Sequence, residues 1–354
     1  MRKASKAFLQ ALLSEPSPSG YEGPVRQVWK REVERHAEKV DVDVHGNAIA
    51  VHNSAGSPRV MLAGHMDELG FQIVHLDDSG YLYFDTIGGF DQGTISGRKV
   101  RIHTRKGTVA GVIGKKPIHV MTPDERRKVP EKHDMWIDIG ARDGKEARKL
   151  VEIGDPVTYD SNFELLRHDL AISRGFDNKM GAYIVAETLR SVSQANKKAR
   201  AALFAVATVQ EEIGLRGATT STYGVEPLVG IALDVTFATD HPGMDKRKLG
   251  EIKIGGGPVL TRGANVNPVV FEGLVAAAAK KKIPYQIDAA SGGTGTDANA
   301  MQLSRAGVAT GLVSVPQRYM HTPVEVLSLE DLDNSVKLLT EFVLSVDEKT
   351  DFTP

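Results

Sequence analysis

Two adjacent carboxylates, Glu211 and Glu212, end the apolar run 201–209, whose length and β-branched content are those of a strand buried on both faces. Neighbouring strand residues point to opposite faces, so the two cannot duplicate one another unless the strand has already given way to a loop. Acids held at the end of a buried strand need a partner: a metal ion, a basic side chain or a shared proton. Three more strand ends carry ionisable groups. His65 and Asp67 follow the strand at 58–64, Asp234 ends the strand at 227–233, and His321 follows the strand at 311–316. Asp177 lies just ahead of a helical stretch at 180–189, close to a helix N-terminus, where a carboxylate is favoured. Ligands of α/β folds bind in the crevice at the carboxyl ends of the strands, so these groups are expected to converge. Two histidines and several acids suit zinc, cobalt or manganese, and two ions sharing one carboxylate need a ligand set of this size.

The elements that must carry these groups follow from hydrophobic period and from turn residues. The first thirteen residues read as an amphipathic helix, 16–24 as a turn-rich loop, 25–37 as a second helix, and 40–53 as two short strands around His45-Gly46-Asn47. From about residue 71 to 160 the texture changes to short alternating segments at 81–84, 99–103 and 108–113, separated by glycine turns, with a charged segment at 123–132. That stretch reads as a separate small β domain inserted into the first. The α/β texture then resumes, with helices at 271–282, 299–306 and 329–346, a strand at 285–289 and a glycine loop at 291–297 read as mobile and facing substrate. Strands alternating with helices predict an α/β fold with a mostly parallel central sheet flanked by helices. The division is 1–69 with 163–354 for the catalytic domain and 70–162 for the insertion.

A chain of 354 residues is long enough for this arrangement. Its 44 basic and 45 acidic residues give a net charge of -1, which offers no support for a nucleic-acid partner. The absence of cysteine removes disulfides, thiol nucleophiles and thiolate ligands together. No apolar run approaches the roughly 20 residues that cross a bilayer. The basic N-terminus is broken by Gln10 and followed by Ser14-Glu15-Pro16 rather than a cleavage site, so a cytoplasmic protein without a membrane partner is expected.

Each signal has a bland alternative. Asp177 could be a helix cap, Asp67 a cap of the turn that follows it, Glu211 and Glu212 solvated loop acids, Asp234 half of an ion pair and His321 a loop histidine. The glycine loop lacks the lysine of a phosphate-binding loop. Five such accidents at one edge of a sheet are harder to accept than a single site. A glycoside hydrolase using Glu211 with a second carboxylate would leave both histidines without a task. A silent peptide-binding or assembly protein would not need the acids.

The segments His65-Met-Asp-Glu-Leu-Gly70, Gly175-Phe-Asp-Asn-Lys179, Gln210-Glu-Glu-Ile-Gly214, Ala232-Leu-Asp-Val-Thr236 and Arg318-Tyr-Met-His-Thr-Pro-Val-Glu325, with the loop Pro18-Ser-Gly-Tyr-Glu22, resemble those of the M42 family of metallo-aminopeptidases. That family includes glutamyl, deblocking and tetrahedral aminopeptidases, and the likeness spans essentially the whole chain. It implies a zinc-exopeptidase-like catalytic domain carrying a PDZ-like dimerisation domain, with dimers assembling into tetrahedral dodecamers. It implies two divalent ions per subunit, zinc or cobalt first and manganese next. Asp177 would bridge them, His65 and Asp234 would complete one site, and Glu212 and His321 the other. Glu211 would be the general base in the hydrolysis of N-terminal residues from peptides, and Asp67 would accept the second ring N–H of His65. Arg318 and the 239–243 loop would line the substrate pocket, with His241 not taken as a ligand.

Overall fold

The computed structural model describes residues 1–354. Its central sheet has eight strands in the spatial order Lys39–Val42, Ala48–His52, Ala202–Thr208, Arg59–His65, Val229–Phe237, Ala309–Gln317, Val259–Gly263 and Gln286–Ala290. Parallel pairing joins 202–208, 59–65, 229–237 and 309–317 in the middle, and also 259–263 with 286–290 at one end. Antiparallel pairing joins the middle block to the strands on either side, so the sheet is mixed, with four of its seven strand pairs parallel. The reason lies in the connections. The 39–52 pair is joined by a short turn, which permits only antiparallel pairing, whereas the parallel strands are separated by helical crossovers.

The four parallel strands are apolar on both faces because helices cover both. Phe176–Ser193 packs against 59–65, 202–208 and 229–237, while Arg216–Val225 and Asp297–Met301 approach the same strands. Gly64 and Gly181 set the closest approach on the first side. A Cβ on Gly64 would lie 2.4 Å from the Gly181 carbonyl carbon, so neither position tolerates a side chain. Trp29, fully buried, donates its indole N–H to Ala182 O at 2.9 Å and fixes the second helix, Gly23–Val33, on the same helix.

The inserted segment is a closed barrel with strand order Gly70–Leu76, Leu82–Ile87, Met135–Asp138, Gly107–Lys115, Lys99–Thr104 and Pro156–Tyr159. It has its own core around Phe71, Ile73, Ile102 and Ile137, separate from that of the large sheet. The resemblance implies a PDZ-like unit here; what the chain forms is this small barrel, with edges closed on themselves. Two local readings change. The helix after the glycine loop is the single short turn 297–301, and the loop is pinned: Asn299 Oδ1 accepts Thr294 N at 2.9 Å, and Asn265 Nδ2 donates to Thr294 Oγ1 at 2.9 Å.

Candidate metal centre

His65 is the last residue of its strand and stands in register with Thr208, and the pairing of Ala63 with Ala232 brings Asp234 to the same level and side. Asp177 enters from the helix beneath. Its turn begins at Gly175, a left-handed residue (φ 66°) where a Cβ would strike the Glu68 carboxylate, and Asp177 and Asn178 are themselves outside helical geometry. Asn178 locks that irregular start to the sheet by donating to Leu233 O at 2.7 Å and accepting Gly181 N at 3.0 Å.

These elements bring six of the seven expected side chains into one nest and put the seventh beneath it. His65 Nε2 lies 3.4 Å from Asp177 Oδ1, 3.7 Å from Glu211 Oε2 and 4.0 Å from Asp234 Oδ1. His321 Nε2 lies 3.4 Å from the other Asp177 oxygen and 3.8 Å from Glu212 Oε2. One Asp177 carboxylate therefore stands between the two histidines. His321 is the most open of the set, at 38% side-chain exposure, whereas His65 and the acids are nearly closed to solvent. Two triads have ligand atoms within 4.8 Å of one another: His65, Asp177 and Glu212, and His65, Glu211 and Asp234.

The charge balance points the same way. Burial pushes Glu211 up to about 9 and Asp234 up to about 8, with neighbouring acids adding to both against the pull of His65, and burial raises Glu212 too. Asp177 is held below the ordinary carboxylate range, because its contacts to His321 and His65 outweigh burial. Burial opposes a charge on His65, yet Glu211, Asp177 and Asp67 hold its pKa above the usual value. No lysine or arginine pairs with any of these four acids, and Glu212 Oε1 is buried without a hydrogen-bond donor. Imidazole nitrogens with surplus carboxylate oxygens fit divalent cations of the zinc, cobalt and manganese kind.

Asp67 lies beneath the nest, beside the His65 ring. The His65 Nδ1 is 3.2 Å from the Asp67 carbonyl oxygen and 3.4 Å from its carboxylate. The carboxylate also accepts from elsewhere: Oδ1 accepts Glu211 N at 3.1 Å, and Oδ2 accepts Glu212 N at 3.2 Å and the Ser19 hydroxyl at 2.6 Å. It caps a turn, but the turn that carries the glutamate pair. Arg318 forms a bidentate pair with Asp240 at 2.8 and 2.7 Å, and His241 packs beside Tyr319.

Several participants had no role in the sequence reading, although most stand inside the motifs quoted above. Glu68 is buried between Arg174 and Lys179, the latter at 2.7 Å. Glu325 accepts Asp177 N at 3.1 Å, and Asp297 accepts the Thr208 hydroxyl at 2.6 Å. From the barrel, Phe90 and Tyr159 line a small cavity with Arg174, Asp177, His321 and Glu325, so the insertion forms one wall beside the nest.

The strand ends of this mixed α/β sheet gather histidines around a shared acid, a group that could hold metal ions. The family model described as M42 glutamyl aminopeptidase matches residues 46–338. Lysyl aminopeptidase of Pyrococcus furiosus is 37% identical over 351 residues, 98% of this chain and 99% of that one. Among solved structures, a TET aminopeptidase from a marine-sediment Thaumarchaeota archaeon superposes with a TM-score of 0.94 at 34% identity, covering 98% of each chain. The Pyrococcus horikoshii TET1 peptidase, described as assembling into a tetrahedron or a large octahedral shell, gives 0.85 at 32% identity over 97% of this chain and all of that one. The chain belongs to the M42 peptidase family and is an aminopeptidase of that type. No helix is long and apolar enough to cross a membrane.

Proposed function

We propose that the chain hydrolyses N-terminal residues from peptides with two divalent ions, zinc or cobalt first and manganese next, and Glu211 as general base. The observation that carries this is the placement of Asp177, buried, with one oxygen toward His65 and the other toward His321. His65 and Asp234 would hold one ion with Asp177, and Glu212 and His321 the other. Ions bound there supply Lewis acidity, lowering the pKa of water and offsetting charge on the carbonyl oxygen. Glu211 takes the proton of the attacking water at its carboxylate and returns it to the leaving amine. Asp67 holds the Glu211 and Glu212 amides so that the two side chains diverge, one to the proton and one to the ion.

The residue ranges 1–69 with 163–354 and 70–162 serve as catalytic and dimerisation domains in this reading, and a cytoplasmic homo-oligomer is its expected form. The barrel's separate core and the shells described for the TET1 peptidase support that assignment.

The test is initial-rate hydrolysis of aminoacyl-anilides and N-blocked peptides before and after chelation, with zinc, cobalt or manganese restored. Cleavage of the free-amine substrates that disappears on chelation and returns with metal is the expected result, and its ranking gives the preferred first residue. Turnover indifferent to chelation, or none with metal bound, would overturn the reading.

A further inference from the structure

The carbonyls of the turn that carries the base accept from the backbone of 214–217, but its amides are held by side chains from other parts of the chain. Four consecutive amides are each accepted by one: Val209 N by Asn47 Oδ1 at 3.1 Å, Gln210 N by Glu22 Oε1 at 3.1 Å, and Glu211 N and Glu212 N by Asp67 at 3.1 and 3.2 Å. Gln210 sits in the left-handed region (φ 54°), a conformation that a residue with a long side chain adopts only when its surroundings impose it. That left-handed residue immediately precedes Glu211, so its dihedrals decide where the Glu211 carboxylate points. Its amide has one partner, Glu22.

Glu22 is itself firmly placed. It is 5% exposed, and the same Oε1 accepts Gly20 N at 2.8 Å, closing the loop 17–22 on itself. The loop is then tied down on both sides. Ser17 Oγ donates to Met66 O at 2.8 Å, and Ser19 Oγ donates to Asp67. The neighbouring Tyr21 hydroxyl donates to Gly154 O at 2.7 Å and accepts Gln72 Nε2 at 2.7 Å, both from the barrel.

We propose that Glu22 is a positioning residue for the catalytic base: by accepting the Gln210 amide it fixes the left-handed turn that aims Glu211, a role that rests on the two-metal aminopeptidase reading. Glu22 forms none of the contacts within the ligand nest, so its contribution is to geometry and is separable from metal binding. Misplacement of a reacting group by about 1 Å costs on the order of 100-fold in rate, which sets the scale expected when the clamp is removed. Burial, with the Asp67 charge adding, pushes the Glu22 carboxyl up to about 7. An uncharged amide acceptor is therefore a close stand-in near neutral pH.

The experiment compares Glu22→Ala, Glu22→Gln and Glu22→Asp with the parent enzyme, each loaded with metal. Readouts are kcat and KM on the best anilide, metal per subunit by elemental analysis, and hydrogen exchange of the 209–214 amides. Glu22→Ala should lower kcat by about 30- to 100-fold with KM within about 2-fold and metal content unchanged, since only aiming is lost. The Gln210 and Glu211 amides should exchange faster in that variant. Glu22→Gln, which keeps the acceptor, should remain within about 5-fold of the parent and keep the amides protected. If Glu22→Ala fails to fold, Glu22→Asp carries the test, because its shorter arm cannot serve Gly20 and Gln210 together and should lower kcat by about 10-fold. The proposal is overturned by a Glu22→Ala enzyme with undiminished kcat, by activity lost in proportion to metal, or by Glu22→Gln being as impaired as Glu22→Ala. A parent enzyme without chelator-sensitive turnover would overturn the aminopeptidase reading instead, and that result is in hand before any variant is made.

Discussion

Glu68 and Glu211 are both buried glutamates close to the end of the His65 strand, yet they stand in opposite electrical surroundings. Glu68 has two cations of its own, Arg174 and Lys179, which outweigh burial and hold its carboxyl down to about 2. Glu211 and its neighbours Glu212 and Asp234 have no lysine or arginine at all, and burial drives all three upward. One set is neutralised from within the fold and is permanent. The other is left short of positive charge, a costly arrangement unless a cation arrives at the site. Stability and chemistry are thereby divided between two clusters only a few residues apart. Asp177 and Lys179 sit on the same turn yet belong to different clusters.

The largest effect should come from the uncompensated set. Glu211→Gln is expected to reduce turnover by about 100- to 10,000-fold, the range of a lost general base, with metal content unchanged. Because Glu211 also forms a close triad with His65 and Asp234, loss of an ion in this variant would make it a ligand rather than the base. Steady-state kinetics beside elemental analysis separate the two.

Cutting the compensated set should instead cost stability. Lys179→Met leaves Glu68 with one cation and is expected to destabilise the fold by about 3 to 5 kcal/mol, the usual penalty for breaking a buried ion pair. Denaturant unfolding of the chelated protein measures it. An effect below about 1 kcal/mol would mean that Arg174 alone suffices for Glu68. Glu211→Gln under the same conditions should not destabilise, since it removes an uncompensated acid.

This division also explains what could be read from sequence. Ligand candidates were visible because each stands at a punctuation point, such as Asp234 at the end of an apolar strand or His65 before a turn. The parallel block was visible for the same reason, since runs such as 202–208 and 229–237 are buried on both faces. Partnerships were not visible. Whether Glu68 pairs with a cation and Glu212 does not depends on Arg174, more than a hundred residues away and brought alongside only by the fold. Asp67 shows the same limit. Its nearness to His65 is a matter of sequence, but the amides its carboxylate accepts lie on a turn some 144 residues on. The strand 259–263 escaped, and with it the antiparallel junction that it makes with 309–317, whereas its parallel neighbour 286–290 was legible as a strand.

The pH response of the chelated protein is the subtlest way to separate the two clusters, and their signs are opposite. Glu211 and Asp234 have folded-state values of about 9 and about 8 against ordinary values of 4.5 and 3.8. Between those limits the folded chain holds protons that the unfolded chain has released, so their effect on stability worsens as pH rises through this window. Glu68, at about 2 against 4.5, behaves the other way: its contribution is complete above 4.5 and is lost as pH falls toward 2. The chelated protein should therefore be most stable near pH 5 and lose on the order of 1 to 2 kcal/mol between pH 6 and 8, after allowance for water entering the opened site. Metal-loaded protein should not show that decline, because bound cations favour the ionised ligands and hold them deprotonated across the range. Asp234→Asn in the chelated state should flatten part of the slope and leave the acid limb, which belongs to Glu68, unchanged. Thermal unfolding from pH 3 to 9, with and without chelator, reads all of this in one series. A chelated protein whose stability holds level from pH 6 to 8 would mean that these acids, His65 and His321 titrate in the folded chain as they do in the unfolded one, and the contrast between the clusters would collapse.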